Sequence, residues 1–229
     1  MSEADTGAWI RPVEKQSLSE QAYRGLRQAL MRGELQPGTV LTLRPLSQRF
    51  GISATPMREA LMRLVAENAL RLDARGRTCV PHLTRGILME IRSIREHLEG
   101  NAAAEAARVA APGDIDALED MHRRMIAAQD AGDFADAIGE NTRFHLMLCE
   151  MAGQPVALDL VSNLWMRCGP ILSHLYDGGI PPNWEPHPHR RIVAAIRAGD
   201  AAAARDALIY DIRGNGEGLL AHVADSLPD

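Results

Sequence analysis

The run Leu46-Ser47-Gln48-Arg49-Phe50-Gly51-Ile52-Ser53-Ala54-Thr55-Pro56-Met57-Arg58-Glu59-Ala60-Leu61 decides the fold. Arg44–Phe50 reads as a short helix with Leu46 and Phe50 turned inward. Gly51 stops it, because glycine takes the left-handed backbone of a helix end at little cost. Ser53, Ala54 and Thr55 contribute to capping a second helix, with Pro56 near its first turn, where a missing N–H does no harm. That helix is expected over Pro56–Glu67, with Met57, Ala60, Leu61, Leu64 and Val65 at the spacing of one buried face. Asn68 then sits where a left-handed residue is needed, a conformation asparagine tolerates.

Upstream, Leu18, Ala22, Leu26, Ala29 and Leu30 form a helical stripe within Ser17–Arg32, which Gly33 ends. A turn at Leu35-Gln36-Pro37-Gly38 leads to a short strand over Thr39–Leu43. Downstream, Leu70–Asp73 and Thr78–Val80 are two short strands joined by the basic tip Ala74-Arg75-Gly76-Arg77. The order helix, strand, helix, glycine turn, helix, hairpin is a winged helix-turn-helix. In such a unit the second helix of the pair enters the major groove N-terminus first. Arg44, Ser53, Thr55 and Arg58 lie at that end, and Arg75, Gly76 and Arg77 at the wing tip. Arginine meets phosphates and guanine edges; hydroxyls and N–H groups meet phosphates.

Almost everything after Thr84 reads helical. Ile87–Ala110 carries Ile91, Ile94, Leu98 and Ala102 on one face. Asp114–Ala131, Phe134–Ala152, Val156–Tyr176, His189–Ala198 and Ala201–Val223 follow, Val156–Tyr176 being disturbed at Gly169-Pro170. Asp177–Pro188 is a proline-rich loop. The fold class is mainly α: a winged helix-turn-helix over 17–83 after an extension over 1–16, then an all-α bundle of about six helices over 84–225. Aromatics at 4% agree, since strands favour aromatic and β-branched residues.

The formal net charge of −5 argues at first against a nucleic-acid partner. Residues 1–85, however, carry 13 Lys/Arg against 8 Asp/Glu, and residues 86–229 carry 12 against 22. A module of +5 on a domain of −10 directs only the basic end to phosphates. Cys79, Cys149 and Cys168 are scattered and form no CxxC, which suits a reducing compartment. Met1–Gly7 has no signal-peptide pattern, and no run approaches the roughly 18 apolar residues of a membrane span. The expectation is a soluble, cytoplasmic chain.

Gly33-Glu34-Leu35-Gln36-Pro37-Gly38 followed by Leu46-x-x-Arg49-Phe50-Gly51-Ile52-Ser53-x-Thr55-Pro56-x-Arg58-Glu59-Ala60-Leu61-x-x-Leu64 resembles the DNA-binding domain of the GntR family of bacterial transcription regulators. Two positions depart from the family pattern. Ala54 stands where arginine is usual, which removes a groove contact, and Asn68 stands where glycine is usual. Ile94-Arg95-x-x-Leu98-Glu99, Asn141-x-x-Phe144-His145 and His189-Arg190-x-Ile192-x-x-Ala195-Ile196-x-Ala198-Gly199-Asp200 resemble the ligand-binding, or FCD, domain of the FadR-type branch.

The resemblance implies a homodimer on double-stranded DNA, with an inverted-repeat operator and a small carboxylate effector. It also implies a divalent-metal set at Asn141, His145, His189 and Asp211, Zn²⁺ first, with Mn²⁺ and Ni²⁺ as alternatives. Asp211 stands where relatives have a third histidine. Carboxylate oxygen binds zinc at a similar distance, whereas Asn141 offers only a neutral carbonyl. A hydrogen-bond network without metal is the alternative. Arg95 and Arg167 are candidate carboxylate anchors, since guanidinium binds carboxylate bidentately. Arg95 is equally placed to pair with Glu99 at i,i+4 or to be solvated. His174 and Tyr176 are candidate lining residues, with simple exposure of His174 as the alternative. His187 could substitute for His189.

The output expected is a regulator, more readily a repressor, and not an enzyme. The rivals are a metal-dependent hydrolase fused to a DNA-binding module and a metal-only sensor. A metal held by His145, His189 and Asp211 could activate water, but no well-placed general base or nucleophile motif accompanies it.

Overall fold

The computed structural model describes residues 17–177 and 186–223. The N-terminal extension and most of the loop expected over 177–188 lie outside them.

Helix α1 (Leu18–Met31) starts at Ser17, whose hydroxyl accepts from the Glu20 N–H, and ends at Gly33 with φ +69°. Strand β1 (Val40–Leu41) precedes α2 (Leu43–Phe50) and α3 (Ala54–Ala66). Strands β2 (Arg71–Leu72) and β3 (Thr78–Cys79) form the wing, and β3 is central in the order β1-β3-β2. Val40 and Arg71 both pair with Cys79, and Leu41 and Leu72 with Thr78, all antiparallel. Asn68 adopts φ +58°, the left-handed turn expected of it. Met57, Ala60, Leu61 and Leu64 are buried as the spacing predicts.

Six α-helices follow: α4 (Arg85–Val109), α5 (Pro112–Asp130), α6 (Phe134–Met151), α7 (Pro155–Leu172), α8 (Pro188–Arg197) and α9 (Ala201–Leu219). Helix α7 passes through Gly169-Pro170 without a break and ends in a 3-10 turn, Ser173–Tyr176.

Two expected core positions are corrected. Phe50 is 39% exposed; its ring rests against α1 at Gly25, where an added Cβ would come within 2.8 Å of it. Ile94 is 41% exposed, and the residue that α4 turns inward there is Arg95.

The two halves share one hydrophobic core, running from Leu26, Leu30 and Leu64 through Trp165, Cys168 and Ile171. The joint is close. A Cβ on Gly169 would lie 2.2 Å from the Leu30 carbonyl oxygen. Around it, Arg32 pairs with Asp136 at 2.9 Å and the Gln36 amide donates to Ser173 Oγ at 3.0 Å. A second core, built on Phe144, Leu148, Ile192, Ile196 and Leu208, fills the far end of the bundle.

Candidate functional site

Two places bring the predicted residues together. The first is the outer face of α3 and the wing. Arg44, Ser53, Thr55, Arg58, Arg75, Gly76 and Arg77 are all exposed. Arg58, Gly76 and Arg77 line one groove of about 330 Å³ between α3 and the hairpin. Ser17, Thr84, Asp133 and Asp200 cap their helices with side-chain hydrogen bonds, but Ser53 makes none at the start of α3. The leading N–H groups of α3 are therefore available to a phosphate, at the positive end of the helix dipole.

Asp73 shapes the wing tip, a role the sequence reading did not assign it. Its carboxylate accepts the backbone N–H groups of Arg75 and Arg77 at 2.9 and 2.8 Å and pairs with the Arg77 guanidinium at 2.7 Å. These hydrogen bonds hold the Asp73 carboxyl below its ordinary range. Arg44, Arg58 and Arg75 have no ion pair among the described residues, so their charge is not offset within the fold.

The second place lies inside the bundle. His145 comes from α6, His189 from α8 and Asp211 from α9. One ligand atom from each falls within 4.8 Å of the others, and all three residues are almost wholly buried. His145 and Asp211 line a cavity of about 40 Å³ next to His189, together with Arg95 and with Asn141 one turn before His145. Behind them stands a residue the sequence reading considered only as a partner for Arg95. Glu99 Oε2 lies 2.7 Å from His145 Nδ1, and Glu99 Oε1 accepts from Arg95 Nε at 2.6 Å. Burial alone would raise the Glu99 carboxyl, but Arg95 and His145 hold it at about 2. An ionised Glu99 assigns the His145 proton to Nδ1 and turns the Nε2 lone pair to the cavity, as carboxylates do behind metal-bound histidines.

His145 Nε2 lies 3.1 Å from Asp211 Oδ2. Burial pulls His145 down, yet the Asp211 and Glu99 carboxylates raise it overall, so an ion at Nε2 would take the place of the proton these carboxylates favour. The His189 ring stacks on Phe144 at 3.8 Å and is fully buried, and neither of its nitrogens has a hydrogen-bond partner among the described residues. Burial lowers it well below its ordinary range, so it is neutral. A neutral buried imidazole lacking any partner carries a cost of about 1–3 kcal/mol unless something fills the place.

His187 caps α8, accepting the His189 N–H on Nδ1 at 3.2 Å, and burial drives it down to about 4. With His122 from α5 it forms a histidine cluster around His189. The two remaining effector candidates are not brought to the cavity. Trp165, Cys168 and Leu172 line it from α7, so Arg167 is on another face of that helix. His174 is part-exposed in the 3-10 turn, paired with Asp177 at 2.9 Å and stacked on His222.

This pairing of a winged helix-turn-helix with an all-α bundle enclosing a buried histidine cluster defines a DNA-binding transcription regulator. Residues 18–80 match the bacterial regulatory proteins of the gntR family, and residues 90–214 match the FCD domain. The HTH-type transcriptional regulator McbR of Escherichia coli K12 is 34% identical over 194 residues, covering 84% of this chain and 88% of McbR. The HTH-type transcriptional repressor RspR of the same strain is 25% identical over 199 residues, covering 86% and 87%. The solved structure of E. coli McbR/YncC superposes with a TM-score of 0.85 at 32% identity, covering 91% of this chain and 99% of that one. A GntR regulator from Rhodococcus sp. RHA1 shares the fold at a TM-score of 0.75 and 18% identity, covering 90% and 99%. The chain belongs to the GntR family, in its FCD-containing branch; it is a transcription regulator and not an enzyme. None of its described helices is long and apolar enough to cross a membrane.

Arg58→Ala should weaken operator binding by about 1–3 kcal/mol, roughly tenfold to a hundredfold, and flatten its salt dependence. Fluorescence anisotropy on operator DNA measures both. Because Arg58 is exposed and makes no ion pair, thermal unfolding should not change. Unchanged affinity would remove Arg58 from the interface.

Proposed function

We propose that the protein is a homodimeric repressor whose grip on an inverted-repeat operator is set by a divalent ion, and by a small carboxylate bound at or near it. The observation that carries this reading is His189: buried, neutral and without a hydrogen-bond partner at either nitrogen, beside His145 Nε2 and Asp211. Two imidazoles and a carboxylate fit Zn²⁺, with Mn²⁺ and Ni²⁺ as alternatives, and Asn141 adds a neutral oxygen. Such an ion would supply a positive centre for a carboxylate. Glu99 fixes the His145 tautomer, and Arg95 stabilises Glu99 while presenting its own edge to the cavity.

Cys168 lines the cavity, and the next residue, Gly169, touches the backbone of α1. Events in the cavity therefore have a short, packed route to the DNA-binding half. A ligand that prefers one arrangement would change the spacing of the two recognition helices across the dimer.

Elemental analysis after purification in zinc-replete medium should find close to one ion per wild-type chain and a large loss in His189→Ala. Metal-free wild-type protein would overturn the site. The cavity of about 40 Å³ favours a second reading beside this one, because that volume holds an ion with little else. If chelation alone abolishes the change in operator affinity and small acids have no effect, the protein is a metal-only sensor.

A further inference from the structure

A second cavity opens where α1 of the winged module faces α6 of the bundle, with a volume of about 300 Å³. Arg24, Arg27, Arg32 and Arg143 stand around it, Met31 and Leu146 supply apolar wall, and among the described residues no carboxylate lines it. Three of the arginines are already paired: Arg24 with Glu20 at 2.9 Å, Arg32 with Glu34 and Asp136 at 2.7 and 2.9 Å, and Arg143 with Glu140. Arg27 has no ion pair among the described residues, and its buried Nε has no hydrogen-bond partner. A buried N–H on a charged group without an acceptor is costly.

We propose that this cleft is a second ligand site, separate from the histidine cavity, for a small organic anion. A carboxylate or phosphate head would be held by Arg27 and its neighbours, and an apolar body would rest on Met31 and Leu146. The volume is at the lower end of small-molecule pockets, which also favour domain interfaces and a few convergent polar groups on an apolar wall. A simple inorganic anion would leave the apolar wall uncovered. Because the two walls come from the DNA-binding and sensor halves, the bound anion ties them together. The site therefore acts on their relative position without involving the metal set.

Isothermal titration tests this with octanoate, octylphosphonate and uncharged octanol as probes. Full-length wild-type protein dialysed against chelator serves as the background, and the Arg27 and Leu146 variants distinguish binding in this cleft from binding in the histidine cavity, which lies outside its lining. Octanoate or octylphosphonate should bind saturably, and the better of the two identifies the head group; octanol should not bind. Arg27→Met should weaken anion binding at least tenfold. Leu146→Glu, which retains every arginine but places a carboxylate in the cleft, should abolish it. The proposal is overturned if neither anion binds at millimolar concentration, if octanol binds equally well, or if Arg27→Met leaves anion affinity unchanged. Arg27→Met that weakens operator binding alone would make Arg27 a DNA phosphate contact and overturn it too. None of these outcomes depends on whether His145, His189 and Asp211 hold an ion.

Discussion

Gly169→Ala should destabilise the protein by about 3 kcal/mol, at the upper end of what added core volume costs, and loosen the joint between its halves. The added Cβ would lie 2.2 Å from the Leu30 carbonyl oxygen, 2.9 Å from Met31 Cα and 3.0 Å from the Leu30 carbonyl carbon. All three are backbone atoms of α1, so no rotamer change can relieve the contact, and α1 must move off α7. The approach is mutual, since a Cβ on Gly33 would stand 3.2 Å from the Gly169 carbonyl oxygen. Urea unfolding measures the loss. Gly86→Ala is the matched control, at an exposed helical position whose Cβ would meet only Thr84 Oγ1 at 3.9 Å. There alanine should stabilise by about 0.5 kcal/mol, because it loses less backbone freedom on folding. Equal behaviour of the two variants would show that α1 and α7 do not rely on this approach. If metal sets operator affinity as proposed, Gly169→Ala should also blunt that response, because Gly169 follows the cavity-lining Cys168 and packs on α1.

The winged module was readable because its signals are local. Gly33, Gly51 and Asn68 mark helix ends by backbone preference alone, and each takes the positive φ expected of it. The residues proposed to face DNA follow directly, as they sit at the ends of those same elements. The cavity is different, because it is assembled from positions far apart in sequence. Glu99 and His145 are 46 residues apart, and no spacing rule joins them. His122 from α5 joins the neighbouring His187 and His189 cluster in the same way, without a sequence signal. Asn141 and His145 could be paired in advance because one helical turn separates them. Arg167 illustrates the limit of residue type as a guide. A guanidinium suits a carboxylate, but helical phase turns Trp165 and Cys168 to the cavity and not Arg167. Ile94 and Arg95 make the same point on α4, where the charged neighbour goes inside because Glu99 waits one turn away.

That buried charge is the basis of the other large effect: Glu99→Gln should cost about 3–5 kcal/mol at pH 7, the usual penalty for breaking a buried ion pair from one side. Glu99 is fully buried, and the Arg95 side chain, also buried, stacks on Trp165 with its guanidinium carbon 3.8 Å from the ring centre. Glutamine retains the shape and can still accept a hydrogen bond, but it leaves the Arg95 charge unbalanced. The effect depends on pH with a definite sign. The Glu99 carboxyl is held at about 2 in the folded protein against an ordinary 4.5, so its contribution is fully present above pH 4.5. It is lost as pH falls from there toward 2, and it amounts to something on the order of 3 kcal/mol. Wild-type stability should therefore fall across that window, and Glu99→Gln should lack that part of the fall. A second readout separates the charge pair from the metal set. Removing the carboxylate behind a metal-bound histidine typically costs 10- to 100-fold in metal affinity, so Glu99→Gln should bind Zn²⁺ that much more weakly while His189 and Asp211 remain in place. A variant as stable as wild type at pH 7, with the same acid limb, would show that Arg95 and Glu99 are not coupled as the structure places them.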